Sequence, residues 1–147
     1  MKIEKIDHVH VLVKDLEKAM KFFSDVLGMQ FVGPIPHSDH RIAFDSAGGL
    51  ELLSPLTAKT PGHMEEMDAK EGLFSIGLKV PNLDEAVAEL EAKGIKCAWK
   101  GEVPCLKAAQ LKIDAYNVWI ELLEYDDVPP VALANLGKTS EIPFFKG

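Results

Sequence analysis

The sequence predicts an α+β fold. Two βαβββ modules form one curved mixed sheet, with a concave cavity on one face and helices on the outside. Three observations predict it. The opening stretch IDHVHVLV, residues 6–13, alternates as a strand does and runs directly into a segment with helical periodicity. Three short strand-like segments follow that helix. From residue 73 the same order begins again: strand, helix, three strands.

Each element follows from local chemistry. In the first strand, Ile6, His8, His10 and Leu12 share one face, and Val9, Val11 and Val13 share the other. In DLEKAMKFFSDVLG, Leu16, Met20, Phe23 and Leu27 recur at helical spacing and form one apolar stripe. Asp15 is placed to cap the free amides of the first turn, and Gly28 suits the left-handed residue after the last turn. MQFVG, HRIAFDS and LELLSP are the next three strands, broken by Pro34, Pro36 and Gly48–Gly49. The second half supplies LFSIGLKV as a strand and NLDEAVAELEAKG as a helix. Asn82 and Glu85 stand there at capping-box spacing, Leu83, Val87 and Leu90 form the stripe, and Gly94 closes it. IKCAWK, LKAAQLKIDA and NVWIELLEY complete the set.

The halves can be laid over one another. Val13 matches Val80, Asp15 matches Asn82, Gly28 matches Gly94, and LELL at 50–53 matches IELL at 120–123. One helix on a small sheet cannot bury both sheet faces, so the two halves are expected side by side in one continuous sheet. The expected organisation is a single domain, 1–147, with module 1 at 1–56, a linker at 57–71, module 2 at 72–125 and a tail at 126–147. The tail ends in Ile142, Pro143, Phe144 and Phe145, and its apolar side chains are expected to pack over the cavity mouth or on a second subunit.

Composition excludes several function classes. The chain is 47% hydrophobic, enough for a real core, and carries a net charge of −7, which opposes nonspecific nucleic-acid binding. No apolar stretch approaches a membrane span, and the first residues lack a signal-peptide apolar block, so neither nucleic acid nor membrane is an expected partner. Cys97 and Cys105 make neither a disulfide framework nor a CxxC motif, and a cytoplasmic setting is expected.

The polar residues of the strands point to a site. Glu51 and Glu121 occupy equivalent positions in the two halves, each alternating with apolar neighbours, and His8 and His10 share the inner face of the first strand. An unpaired carboxylate on an inner strand face is costly, and two facing one cavity repel. A divalent cation with a neutral imidazole beside the carboxylates resolves both problems. The position matching His8 in the second half is Ser75, a poor ligand for a transition metal, so His8, Glu51 and Glu121 are the expected metal ligands. His10 lies on the same face and lines the pocket, supplies a second imidazole or simply fills the strand. Lys79, on the Ser75 face, either meets an anionic substrate group or is a solvated strand end. Trp119, with Phe74 and Trp99, walls the cavity or fills the core. His37 and His40 read as rim or surface, and His63 as surface.

The strand–helix–three-strand repeat, with His8 in DHVHVLV and glutamates in GGLELLSP and VWIELLEY, resembles the vicinal oxygen chelate superfamily over roughly residues 4–125. LELLSPL through LKVPNLDEAVAELEAKGIK is similar to its methylmalonyl-CoA epimerase branch, and the glyoxalase I branch stands close by. The resemblance implies a metal site with one ligand from the first and one from the last strand of each module. Those positions fall on His8, Glu51, Ser75 and Glu121. It implies a divalent metal (Co, Ni, Mn, Fe or Zn) and an enzyme acting by proton transfer next to a carbonyl on a small oxygenated substrate: an epimerase, isomerase or lyase. Glu51 or Glu121 moves the proton, and His10, Ser75, Lys79 and Trp119 contact the substrate. A homodimer is expected. Two other readings stay open. One is a non-catalytic, antibiotic-sequestering binding protein, which the serine at position 75 favours. The other is a ring-cleaving dioxygenase, which would need His10 beside His8.

Overall fold

The structure is a computed structural model and describes residues 1–37, 40–55, 71–103, 106–113, 116 and 118–126. Linker residues 57–70, tail residues 127–147, His63 and Cys105 therefore lie outside the described residues.

The elements run β1 (Lys5–Leu12), α1 (Leu16–Leu27), β2 (Phe31–His37), β3 (His40–Asp45), β4 (Leu50–Pro55), β5 (Gly72–Lys79), α2 (Leu83–Ala92), β6 (Cys97–Val103), β7 (Leu106–Ile113) and β8 (Val118–Glu124). All eight strands form one open, curved sheet in the order β2-β3-β4-β1-β5-β8-β7-β6. Four strands come from each half, and the halves meet where β1 pairs antiparallel with β5. Within each half the first strand pairs parallel with the last: β1 with β4, and β5 with β8. The predicted α+β class and βαβββ repeat are observed.

The repeat extends to single hydrogen bonds. The Val13 amide donates to the Leu53 carbonyl at 2.9 Å, and the Val80 amide to the Leu123 carbonyl at 2.8 Å. These are the same bond in the two halves. The helix caps follow the sequence. Asp15 accepts from the Lys18 amide and Asn82 from the Glu85 amide, each at 3.0 Å. Gly28 turns left-handed at φ 69° and ends α1.

Strand alternation sorts the side chains into two layers. On the convex face, α1 packs Leu16, Ala19, Met20 and Phe23 against Ala43 and Leu52. There α2 packs Leu83, Ala86 and Val87 against Ala109, Leu111 and Leu122. On the concave face, Leu12, Ile42, Phe44, Leu53, Phe74 and Trp119 form one cluster, and Ala108, Leu123 and Tyr125 another. The strip of β1, β4, β5 and β8 between those clusters holds the polar residues.

Two strands depart from the sequence expectation. The segment predicted to end at Gly33 continues through Pro34 and Pro36 to His37. It is an edge strand, where proline's missing amide costs no ladder bond. The strand expected over IKCAWK starts at Cys97 and reaches Val103, forming the opposite edge.

Leu122 is 1% exposed and joins β8 to α2 and β7. Leu122→Ala is expected to lower unfolding free energy by about 2–5 kcal/mol, read from urea denaturation monitored by tryptophan fluorescence.

Candidate functional site

The centre of the concave face is built by three strand pairings. Parallel pairing sets His10 beside Glu51 on β4 and Gly77 beside Glu121 on β8. Antiparallel pairing of β1 with β5 sets His8 opposite Gly77 and His10 opposite Ser75. The two imidazoles from one strand thus lie between one carboxylate from each half.

The contacts are direct. His8 Nε2 lies 2.9 Å from Glu121 Oε2 and 3.1 Å from His10 Nε2. His10 Nε2 lies 2.7 Å from Glu51 Oε2. The longer approaches are His8 Nε2 to Glu51 Oε1 at 3.6 Å and His10 Nε2 to Glu121 Oε2 at 3.5 Å. The rings meet edge to face at 4.5 Å. His8 and His10 are buried, and the two carboxylate side chains are each only 13% exposed.

A divalent ion with ligand bonds of about 2.1 Å spaces neighbouring ligand atoms roughly 3.0–3.4 Å apart. The approaches above bracket that range. His8, His10 and Glu121 offer donor atoms that all lie within 4.8 Å of one another, and Glu51 reaches both imidazoles. Two imidazoles with two carboxylates suit a first-row divalent metal. The residues present therefore fit such an ion.

Backbone geometry makes room for the rings. A Cβ on Gly77 would stand 2.6 Å from His8 Cε1 and 2.8 Å from His8 Nε2. Glycine here serves close approach. Ser75 is fully buried, and its Oγ lies 3.0 Å from His10 Nδ1. The positions in the second half that match His8 and His10 are thus the small residues against which those rings rest.

Beyond the imidazoles lies a second group of polar contacts. His8 Nδ1 lies 2.9 Å from Asp7 Oδ1. Asp7 Oδ2 accepts from the Tyr125 hydroxyl and lies 3.2 Å from Lys5 Nζ. Burial pushes the Asp7 carboxyl up, but hydrogen bonds from His8, Tyr125 and Lys5 outweigh it and hold it well below the usual carboxylate range. Burial pushes His8 down, yet Glu51, Asp7 and Glu121 hold it well above an ordinary imidazole. Burial raises Glu51, and the charges of His8 and His10 more than reverse this.

The structure groups the expected site residues unequally. His8, Glu51 and Glu121 come together. His10, expected first as a pocket residue, presents its Nε2 to the same cluster. Ser75 contacts His10. Lys79 pairs with Glu4 at 3.0 Å and lies 4.7 Å above the Tyr125 ring, beside the site's outer edge. Trp119 is 5% exposed and packs against Phe74, with Lys112 Nζ 5.6 Å above its ring. His40 is buried in β3 rather than on the surface. Sequence reasoning missed Asp7, Gly77, Gln110 and Tyr125. Gln110 stands opposite Glu121 in the β7–β8 ladder, and its buried Oε1 has no hydrogen-bond partner among the described residues. The one sequence signal for it was the strand alternation that puts Gln110 between Ala109 and Leu111.

Comparison with known proteins agrees with this architecture. A family model described as Glyoxalase/Bleomycin resistance protein/Dioxygenase superfamily matches residues 7–110. Mitochondrial methylmalonyl-CoA epimerase of Mus musculus is 37% identical over 101 residues, covering 65% of this chain and 56% of the relative. Lactoylglutathione lyase of Schizosaccharomyces pombe is 28% identical over 154 residues, covering 90% of this chain and 51% of the relative. The chain spans about half the length of these curated relatives. Among solved structures, a variant of Streptomyces coelicolor methylmalonyl-CoA epimerase in complex with 2-nitronate-propionyl-CoA superposes with a TM-score of 0.71. Its sequence identity is 21%, over 86% of this chain and 100% of that one. Methylmalonyl-CoA epimerase from Mycobacterium tuberculosis gives a TM-score of 0.70 at 22% identity, over 85% and 90%. At these identities the structural likeness concerns the fold.

Gly77→Ala is expected to cost about 1–3 kcal/mol by overpacking, and less in a His8→Ala background, where the ring it strikes is gone. A double-mutant cycle in urea reads this coupling. In the metal-free protein the combined contribution of Glu51 and His8 to stability is also expected to be greatest between pH 4.5 and 6.5, their ordinary values. The Glu51 contribution is present above 4.5 and is lost as pH falls through its depressed folded value. The His8 contribution is full below 6.5 and is lost as pH rises through its raised folded value. Denaturation of chelator-treated protein across pH checks both limbs. Glu51→Gln should flatten the acid limb and His8→Ala the alkaline one.

Proposed function

Because the chain belongs to the glyoxalase/bleomycin resistance/dioxygenase superfamily, we propose that it is a metal-dependent enzyme that transfers a proton at a carbon next to a carbonyl. The observation that carries this reading is the convergence of His8, His10, Glu51 and Glu121 at one point on the concave face. Such a cluster is a poor device for stability, since apolar side chains of similar volume usually serve a fold as well or better than buried ion pairs. Its use is therefore chemical. The names of the relatives, epimerase and lyase, support the same class.

His8, His10, Glu51 and Glu121 would hold the divalent ion. When bound, such an ion polarises a carbonyl and lowers the pKa of the adjacent C–H. The chain's own residues supply the rest. Glu51 or Glu121 accepts the proton, and the same or the other carboxylate returns it, which suits epimerisation or isomerisation. The apolar clusters on either side, with Phe74 and Trp119 in one and Leu123 and Tyr125 in the other, limit water around the site. The buried amide oxygen of Gln110, without a hydrogen-bond partner among the described residues, offers an acceptor to a substrate hydroxyl or N–H. A metal-free, non-catalytic binding site would leave the grouping of two carboxylates with two imidazoles unexplained.

Metal analysis of protein purified without chelator tests the reading, beside His8→Ala, His10→Ala and Glu121→Ala. About one divalent ion per chain is expected in the wild type, with loss in all three variants. Exchange of the C–H next to the carbonyl in deuterated water, with 2-substituted acyl thioesters and 2-oxo compounds, is expected only for the metal-loaded wild type. Wild-type protein that holds no ion after reloading with Co, Ni, Mn, Fe or Zn would overturn the metalloenzyme reading.

A further inference from the structure

We infer that Asp7 is a positioning residue: it fixes the orientation and tautomer of His8 so that Nε2 faces the carboxylates, and Tyr125 holds Asp7 in place. The inference rests on the metal-site reading for its consequence, though not for the hydrogen bonds themselves.

The placement of Asp7 begins with the backbone. In the β1–β5 ladder Ile6 pairs with Leu78 and His8 with Gly77, leaving Asp7 as an extra residue. A bulge of this kind breaks strict alternation and re-aims a side chain. In a regular strand Asp7 would point away from His8, to the helix side with Val9 and Val11. Here it reaches the Nδ1 edge of the neighbouring imidazole at 2.9 Å. The second half repeats the irregularity, with Phe74 as the extra residue between the His10–Ser75 and Val11–Leu73 pairs. Phe74 is the position that matches Asp7. The same backbone device therefore carries a carboxylate behind the histidine in one half and an apolar wall in the other.

The contacts of Asp7 fix its role. Its side chain is 9% exposed, and both oxygens are engaged: Oδ1 with His8, and Oδ2 with the Tyr125 hydroxyl and the Lys5 ammonium. With cationic and hydroxyl donors on Oδ2, the carboxylate acts as an acceptor, and His8 must present an N–H at Nδ1. A neutral ring then has its free lone pair at Nε2, the atom that lies among Glu51, Glu121 and His10. A carboxylate behind a ligating histidine fixes the ring's orientation and raises the basicity of the ligating nitrogen. The contrast with His10 is informative. Its Nδ1 faces the Ser75 hydroxyl, which both donates and accepts and so dictates no tautomer. Of the two imidazoles, His8 is the one held in a single form.

The test uses Asp7→Asn, Asp7→Glu and Tyr125→Phe in protein labelled with 15N-histidine. In the wild type the His8 Nδ1–H proton is expected as a downfield, slowly exchanging signal, with or without metal. Asp7→Asn removes the acceptor and can turn an amide N–H toward Nδ1. The signal should disappear, and affinity for Zn or Co should fall about 10- to 100-fold. Asp7→Glu, which keeps the carboxylate, should restore part of both. If Asp7→Asn fails to fold, Tyr125→Phe carries the test, with a shift in the same signal and a severalfold loss of affinity. An unchanged His8 signal together with wild-type affinity in the folded variant would overturn the inference. A wild type that binds no metal would instead defeat the metal-site reading. The His8 signal, and its loss in Asp7→Asn, would still decide the role of Asp7.

Discussion

The pairing of β1 with β5 is the constraint on which the centre of the molecule depends. It joins the two halves into one sheet, and it also decides which side chains can meet. Parallel pairing inside each half brings a glutamate beside the first strand of that half. Only the antiparallel seam between the halves brings Glu51 and Glu121 to the same pair of imidazoles. A slip of one residue at that seam would turn His8 and His10 to the helix side and Val9 and Val11 into the cavity. The hydrophobic pattern forbids this, because Leu12 and Phe74 are buried on the concave face. The register that makes the core is thus the register that makes the site.

The two halves have complementary roles at this seam. The first contributes both imidazoles, from alternate residues of one strand. The second contributes space, through Gly77 under the His8 ring and the small, fully buried Ser75 beside His10. A larger residue at either position would push an imidazole off the point where the carboxylates converge. The serine at the second half's match to His8 therefore still leaves two imidazoles beside the two carboxylates. The second imidazole comes from His10, and the hydroxyl of Ser75 supports it from behind.

Much of this was legible in the sequence, and the reason is periodicity. Alternation in IDHVHVLV, LELLSP and VWIELLEY fixes which residues share a face, and the repeat fixes which strands correspond. Together these place His8, Glu51 and Glu121 in one cavity. The caps at Asp15 and Asn82 are local chemistry and were equally readable. What stayed hidden depends on irregularity or on distant pairing. Asp7 belongs by alternation to the helix side, and only the bulge turns it to His8. Tyr125 reaches Asp7 across the sheet, a contact between residues far apart in sequence. Gly77 reads as a weak point in a strand until the His8 ring is seen against it. The continuation of β2 through two prolines was hidden because proline marks a break unless the strand is known to lie at an edge.

The bulges show how a duplicated backbone can carry unequal chemistry. Each first strand admits one extra residue at the seam, Asp7 in one half and Phe74 in the other. The irregularity is a property of the pairing, and the side chain placed on it is free to differ. On the module-1 side it yields a chain of contacts from Tyr125 through Asp7 to His8 and on to Glu121. On the module-2 side it yields a ring tilted against Trp119 with centroids 5.8 Å apart, adding apolar surface to the concave face. The concave face thus carries its polar groups on the central strands, between the Phe74–Trp119 cluster and the Leu123–Tyr125 cluster. A substrate held over the four converging groups would meet the Gln110 amide and the Lys79–Tyr125 edge on one side, and the Phe74–Trp119 wall on the other.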